Sequence, residues 1–344
     1  MRSAKEECIL RVLLQIRPDY KRNPAGDSVQ IISTGWGLQK LGVEVAVSSD
    51  PNILLDGYDL VHIFNVTRIK ETYMYFLNAQ KQGKKTVVSP IYWNPRPFLQ
   101  RTGGNPRDIA SWQLAQPMRA RVIKECDLLL PNGQSEAELL SRDFPATAPL
   151  QVIPNGFPDS FGQADPRMFR ERYPDVPAEF VLCVARISAR KNQLLLAQAC
   201  RELGLPLVLI GPVNDRKYYE QIRAPHVKYL GTLQGDLLAS AYAAAKVHAL
   251  ASWFETPGLS SLEAAACGTT VMSTEVGSPR EYFKDLAVYM NPADPDSVRS
   301  GLEKALTWPA FALTEHIRKH FTWSQVAAKT LTSYQDLLAK ALTK

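Results

Sequence analysis

The sequence predicts an α/β chain built as two doubly wound parallel-sheet domains with a cleft between them. Three observations carry that expectation. A length of 344 residues exceeds what one hydrophobic core usually organises. Short runs rich in Val, Ile and Leu alternate with longer amphipathic segments, the rhythm of β-α-β units whose strands are buried on both faces. That rhythm stops at the Gly-, Pro- and Asp-rich phrase NGFPDSFGQADP (155–166) and then begins again.

In the first half the strand-like runs are ILRVLLQI (9–16), VEVAVSS (43–49), DLVHIF (59–64), KTVVSPI (85–91), DLLLP (127–131) and LQVIP (150–154). Helical segments are expected between them at 27–41, 68–82, 110–125 and 134–142. The second half reads FVLCVARI (180–187), PLVLIG (206–211), VKYLG (227–231), VHALAS (247–252), TTVMST (269–274) and AVYMN (287–291). Helices are expected there at 191–203, 215–223, 235–245 and 259–267. The tail TWSQVAAKTLTSYQDLLAKAL (322–342) has apolar residues at helical spacing. The expected division is 1–155, 156–321 and a closing helix in 322–344.

Composition excludes several classes. With 45% hydrophobic and 22% charged residues the chain is neither disordered nor fibrous. No apolar run approaches the ~18–20 residues needed to span a bilayer. The N-terminus carries Lys5, Glu6 and Glu7 before a short apolar stretch and has no small-residue cleavage site, so it reads as a first strand of a cytosolic chain. Cys8, Cys126, Cys183, Cys200 and Cys267 are scattered without metal or redox spacing and read as reduced packing residues. The net charge of +6 is spread along the chain, unlike the basic stripe of a nucleic-acid binder. No G-x-G-x-x-G follows any strand, which disfavours a nicotinamide oxidoreductase.

Parallel sheets gather strand C-termini and helix N-termini at one edge, where backbone N–H groups favour anions. Two turns at such edges are decorated. In ARISARKNQ (185–193), Arg186 ends a strand and Lys191 opens the next helix. Two cations there suit a diphosphate, or are solvated loop charges. In ASWFETPGLSSLEAAACGTTVMST (251–274), Glu255 ends a strand, Gly258 sits in the turn and Glu263 lies about one turn into a helix. Carboxylates so placed can accept from sugar or ribose hydroxyls, or simply favour the helix dipole.

These residues together resemble glycosyltransferase family 4, the retaining, nucleotide-sugar-dependent enzymes of GT-B fold. Glu255 and Glu263 match the family's Glu-x7-Glu element, and Ala266-Cys267-Gly268-Thr269-Thr270-Val271 matches the stretch that follows it. Arg186 and Lys191 match its Arg-x4-Lys element. Val152-Ile153-Pro154-Asn155-Gly156 is similar to its inter-domain crossing, and 227–252 to the segment around the nucleotide base. Phe321-Thr322-Trp323-Ser324 resembles the start of a final helix that packs back on the N-terminal domain. The resemblance implies two Rossmann-like domains, with acceptor bound by the first and nucleotide sugar by the second. It implies that Arg186 and Lys191 neutralise the leaving diphosphate, that Glu255 contacts the donor sugar and that Glu263 holds the ribose. Gly258 and Leu259 would face the sugar or β-phosphate through backbone amides, and Leu233 would touch the base. No metal and no other cofactor is expected.

In the first domain, Gly26 at the turn before the first helix resembles the family's glycine loop, with one glycine where the family often has two. Asp27 beside it can bond acceptor hydroxyls or N-cap the helix. The family often carries a His after the strand equivalent to KTVVSPI; here the loop reads Ser89-Pro90-Ile91-Tyr92-Trp93-Asn94. Tyr92 and Trp93 can stack on sugar or pack internally, and Asn94 can bond hydroxyls. His62 and Asn65 are expected at a strand C-terminus on the same cleft. His316 and His320, four apart on a helix beside Arg318 and Lys319, read as a solvated face. The basic segment 101–125 reads as an acceptor loop and helix, or as a contact with an anionic bilayer.

The resemblance implies transfer of a hexose or hexosamine from a nucleoside diphosphate, UDP favoured over GDP, to a hydroxyl of a saccharide or lipid-linked saccharide. The implied setting is bacterial surface-polysaccharide assembly in the cytoplasm, with peripheral contact at the inner membrane and no nucleic-acid partner. A sugar-nucleotide epimerase of the same fold and a catalytically silent nucleotide-binding subunit are the alternative readings.

Overall fold

A computed structural model describes residues 9–342, so Cys8 lies outside the described residues. The chain divides into two compact units, each a parallel-sheet, Rossmann-like α/β layer structure. One runs to Pro154 and resumes at Trp323; the other is Asn155–Thr322.

The first unit holds β1 (Arg11–Gln15), β2 (Glu44–Ser48), β3 (Leu60–Phe64), β4 (Lys85–Ser89) and β5 (Leu128–Leu129), in the order β2-β1-β3-β4-β5. All pairings are parallel, with Val12 opposite both Val45 and Leu60. The apolar runs of the inner strands are continuous because both sheet faces are covered there, whereas the edge strand β2 has no buried residue. Val61 and Ile63 pack with Tyr75 and Phe76 of the helix Ile69–Lys81. The helix Gly26–Lys40 packs on Trp323–Leu342, the long closing helix. Gly37 brings them together: an added Cβ would stand 2.5 Å from the Ala327 Cβ.

Two expectations for this unit are corrected. LQVIP (150–154) is not a strand but a single bridge between Leu150 and Leu129, flanked by Pro149 and Pro154, which have no N–H to extend a ladder. The expected helix over 110–125 is two, Pro106–Leu114 and Gln116–Glu125, because Pro117 denies the second helix an N–H to continue the first.

The second unit holds β6 (Val181–Val184), β7 (Leu207–Ile210), β8 (Val227–Tyr229), β9 (Val247–Leu250), β10 (Thr270–Thr274) and β11 (Val288–Met290). The order is β11-β10-β9-β6-β7-β8, again all parallel. Side-chain alternation divides its core into two layers. Phe180 and Leu182 join a cluster with Tyr242, Leu262 and Ile317, while Val181 and Cys183 join one with Leu196, Met272 and Leu302. Helices outside the sequence expectation are Arg167–Arg172, Pro279–Phe283 and Pro295–Ala305; the last starts on a clear signal, Asp294 capping the Asp296 N–H with Pro295 at the first position.

Among the described residues no helix is long and apolar enough to cross a membrane. Cys126, Cys183, Cys200 and Cys267 are free and buried, and burial raises the pKa of each thiol.

Candidate functional site

The second unit brings the ends of β6 and β9 together. After β6 the chain passes Arg186, and Gln193 fastens the turn: its Nε2 donates to the Arg186 carbonyl at 2.9 Å and its Oε1 accepts from the Ser188 N–H at 3.3 Å. A single turn, Ala189–Lys191, then delivers Lys191 to the helix Gln193–Glu202. After β9 the chain runs to Glu255, whose backbone is clamped against the loop following β10. The Glu255 N–H donates to Val276 and its carbonyl accepts from Ser278. Gly277 makes this approach feasible, since a Cβ there would overlap the Glu255 carbonyl and its φ is +102°.

The two strand-end loops are stitched to each other. The Trp253 N–H donates to the Arg190 carbonyl at 3.0 Å, and Arg190 Nη1 donates to the Phe254 carbonyl at 2.9 Å. Between them Lys191 Nζ and the Glu255 carboxylate form a direct ion pair, only 12% and 6% exposed. Burial pulls the Lys191 ammonium down to about 8 despite the attraction of Glu255, with Arg190 and Arg186 adding repulsion. Burial alone would raise the Glu255 carboxyl, but Lys191 and Arg190 outweigh it and hold it below the usual range. Arg186, Lys191 and Glu255 therefore form one electrostatic cluster.

Gly258 caps the helix Leu259–Ala266 at φ +89°, and a Cβ there would stand 3.4 Å from Glu255 Oε2. Leu259 is the first, half-buried residue of that helix. Glu263, one turn on, accepts a 2.8 Å hydrogen bond from the Tyr242 hydroxyl, and burial pushes its carboxyl up to about 7. Leu233, before the helix Gly235–Ala244, is half-buried against the Tyr242 cluster. Tyr242, Arg190 and His248 were not singled out by sequence. His248 is fully buried in β9, 3.4 Å from Ser261 Oγ through Nδ1, and burial lowers its pKa to about 3. Nothing in a strand-embedded His or a helix-borne Tyr distinguishes them from core residues by spacing.

In the first unit the expected residues have other employment. Gly26 is the exposed first residue of its helix. Asp27 neither caps that helix, where Ala25 occupies the cap, nor offers its carboxylate outward. It takes two hydrogen bonds from Arg17, at 2.8 and 2.9 Å, and one from Asn65 Nδ2 at 2.8 Å. Burial would raise its pKa, but Arg17 and Asn65 hold it below the usual carboxylate range. Arg17, 4% exposed, also meets Asp19, the Asn23 carbonyl and Ser28. Tyr92 is fully buried, stacked with Trp112, and its hydroxyl donates to Asp143 at 2.8 Å; it packs internally and presents no face to a sugar. Asn94 donates to the same carboxylate at 2.9 Å, and half-buried Trp93 lies against Phe98. His62 sits in the middle of β3, not at its end. Its Nδ1 and the Tyr334 hydroxyl are 2.6 Å apart, its Nε2 and Ser89 Oγ 2.9 Å, and burial lowers its pKa to about 3. It ties β3 to β4 and to the closing helix. Among the described residues no cluster of three or more His, Cys, Asp or Glu is placed to hold a metal ion.

Residues 178–307, which span this cluster, match the family described as Glycosyl transferases group 1. The chain is similar to the O-antigen chain mannosyltransferase B of Escherichia coli, at 27% identity over 175 residues, 46% of each protein. It is similar to the MMP alpha-(1->4)-mannosyltransferase of Mycolicibacterium hassiacum, at 25% identity over 276 residues, 75% of this chain and 64% of that one. The chain thus spans about half the length of the first of these relatives. Among solved structures, sucrose-phosphate synthase from Thermosynechococcus elongatus superposes with a TM-score of 0.79 at 18% identity, covering 96% of this chain and 100% of the other. Anabaena HepE in complex with UDP and glucose gives 0.75 at 16% identity, covering 95% and 100%. These superpositions establish the two-domain GT-B fold.

Proposed function

Starting from a chain whose residues 178–307 match the glycosyl transferases group 1 family, we propose that the protein is a retaining glycosyltransferase. It moves a hexose or hexosamine from a nucleoside diphosphate, UDP before GDP, to a hydroxyl of a glycan or lipid-linked saccharide. The observation that carries this reading is the Arg186, Lys191 and Glu255 cluster at two adjacent strand ends. A leaving diphosphate gains charge as the glycosidic bond breaks, and two preorganised cations in a poorly hydrated site stabilise that charge without reorganising. The departing phosphate oxygen accepts the proton of the attacking hydroxyl, so the acceptor oxygen gains the sugar and the nucleotide leaves protonated. That step needs no protein base, in keeping with the interior posts of His62 and His248. Glu263 accepts from the ribose hydroxyls, and Leu233 borders the base. The solved complex of HepE with UDP favours a uridine donor here. The first unit takes the acceptor, in the cytoplasm at an anionic membrane surface, and no metal takes part.

A thermal-shift series with UDP, GDP and ADP, each with and without EDTA, tests the proposal. One nucleotide is expected to raise the unfolding temperature undiminished by chelation. A shift with none of them removes the proposal. Incubating the matching nucleotide sugar without acceptor separates transfer from epimerisation, since only an epimerase yields a sugar inverted at one carbon, whereas a transferase gives at most slow hydrolysis to the unchanged sugar.

A further inference from the structure

The two groups assigned above to different parts of the donor, Lys191 to the diphosphate and Glu255 to the sugar, hold each other. Both are buried, and the loops that carry them are cross-linked by the Arg190–Phe254 and Trp253–Arg190 hydrogen bonds. The Glu255 backbone is fixed at both its N–H and its carbonyl, so only its side chain can yield Lys191. Gly258 leaves it room: the space a Cβ would fill there borders Glu255 Oε2 at 3.4 Å and Cδ at 3.5 Å.

We infer that Glu255 is a specificity-determining residue that makes the site favour a sugar-bearing donor over the bare nucleoside diphosphate, by occupying Lys191 until a sugar hydroxyl replaces it. The inference rests on the reading of Lys191 as a diphosphate ligand. A bare diphosphate that takes Lys191 leaves the buried Glu255 carboxylate without its ion-pair partner, which is unfavourable. A nucleotide sugar takes Lys191 with its phosphates and offers hydroxyls to the carboxylate it displaces. The same exchange, run after transfer, expels the product: once the sugar has left, Glu255 reclaims Lys191 and the diphosphate loses its cation.

Isothermal titration of UDP and GDP into the full chain and into Glu255→Gln tests this. The amide keeps the shape of the carboxylate but holds Lys191 without charge, so UDP is expected to bind about tenfold tighter to the variant. Glu255→Ala, read the same way, covers a failure of the Gln variant to fold. In a Lys191→Met background the gain is expected to disappear, because no cation remains to be released. Unchanged or weaker nucleotide binding in both Glu255 variants overturns the inference while leaving the proposed function standing. So does a gain that persists in full without Lys191, since simple repulsion by Glu255 then explains it. Absence of nucleotide binding in wild type and variants alike removes both.

Discussion

Glu263 carries the pH dependence that is easiest to measure. Its carboxyl sits near 7 in the folded chain because it is buried, against 4.5 for an ordinary glutamate. A raised carboxyl means the folded state binds the proton more tightly, so this contribution to stability is complete below about 4.5 and is lost as pH rises through about 7. Urea midpoints of the second unit are expected to fall from about pH 5 to about pH 8, and Glu263→Gln is expected to flatten that slope. Buried pairing gives a second expectation. Asp27→Ala takes from Arg17 its buried carboxylate and leaves it the half-exposed Asp19, and is expected to cost about 3 kcal/mol in urea denaturation, whereas Arg17→Met with Asp27→Leu recovers most of it. The sequence displays Asp27 as a plausible helix cap because it stands beside a glycine turn. It hides the true partner, since Arg17 lies ten residues away and meets it only through the fold. Tyr92 misleads for a related reason: an aromatic after a strand looks the same whether its hydroxyl meets a ligand or Asp143.

At the scale of elements, inner strands were legible because burial on both faces writes them as apolar runs, and among the described residues all eleven strands fall inside the expected segments, the less buried edge strands Glu44–Ser48 and Val227–Tyr229 included. Their ends were less so, since a proline such as Pro149 or Pro154 stops a ladder without changing the apolar signal. The helix Pro295–Ala305 lies outside the sequence expectation although its Asp-Pro start is explicit, because only Val298, Gly301, Leu302 and Ala305 are buried and, after Pro295, the rest of its residues are polar or charged. Helix packing makes its own prediction. Gly37→Ala gains about 1 kcal/mol of helix propensity but drives a methyl into Ala327, and overpacking of this kind costs about 1–3 kcal/mol. The net expectation is destabilisation of the first unit, relieved in Gly37→Ala/Ala327→Gly, measured by a double-mutant cycle. Tyr334→Phe removes the hydroxyl that His62 meets across the same helix and is expected to cost about 1–3 kcal/mol.

Over the whole molecule, the restart of the β-α-β rhythm points to two units, and the closing helix belongs to the first unit through contacts between Ala327 and Gly37 and between Tyr334 and His62, which apolar periodicity does not announce and which only the resemblance at Phe321-Thr322-Trp323-Ser324 implies. Two cores imply separable unfolding. Calorimetry is expected to resolve a transition for each, with nucleotide raising the one that belongs to Asn155–Thr322, and removal of residues from Trp323 onward lowering only the other. The chain path also orders events in time. Because the first unit is interrupted at Pro154 and resumes at Trp323, a ribosome releasing about 5–20 residues per second completes the inserted unit before the earlier one receives its last helix. Of the two units, the one begun earlier is therefore completed later, and until Trp323–Leu342 emerges the face of Gly26–Lys40 that receives Ala327 has no partner helix.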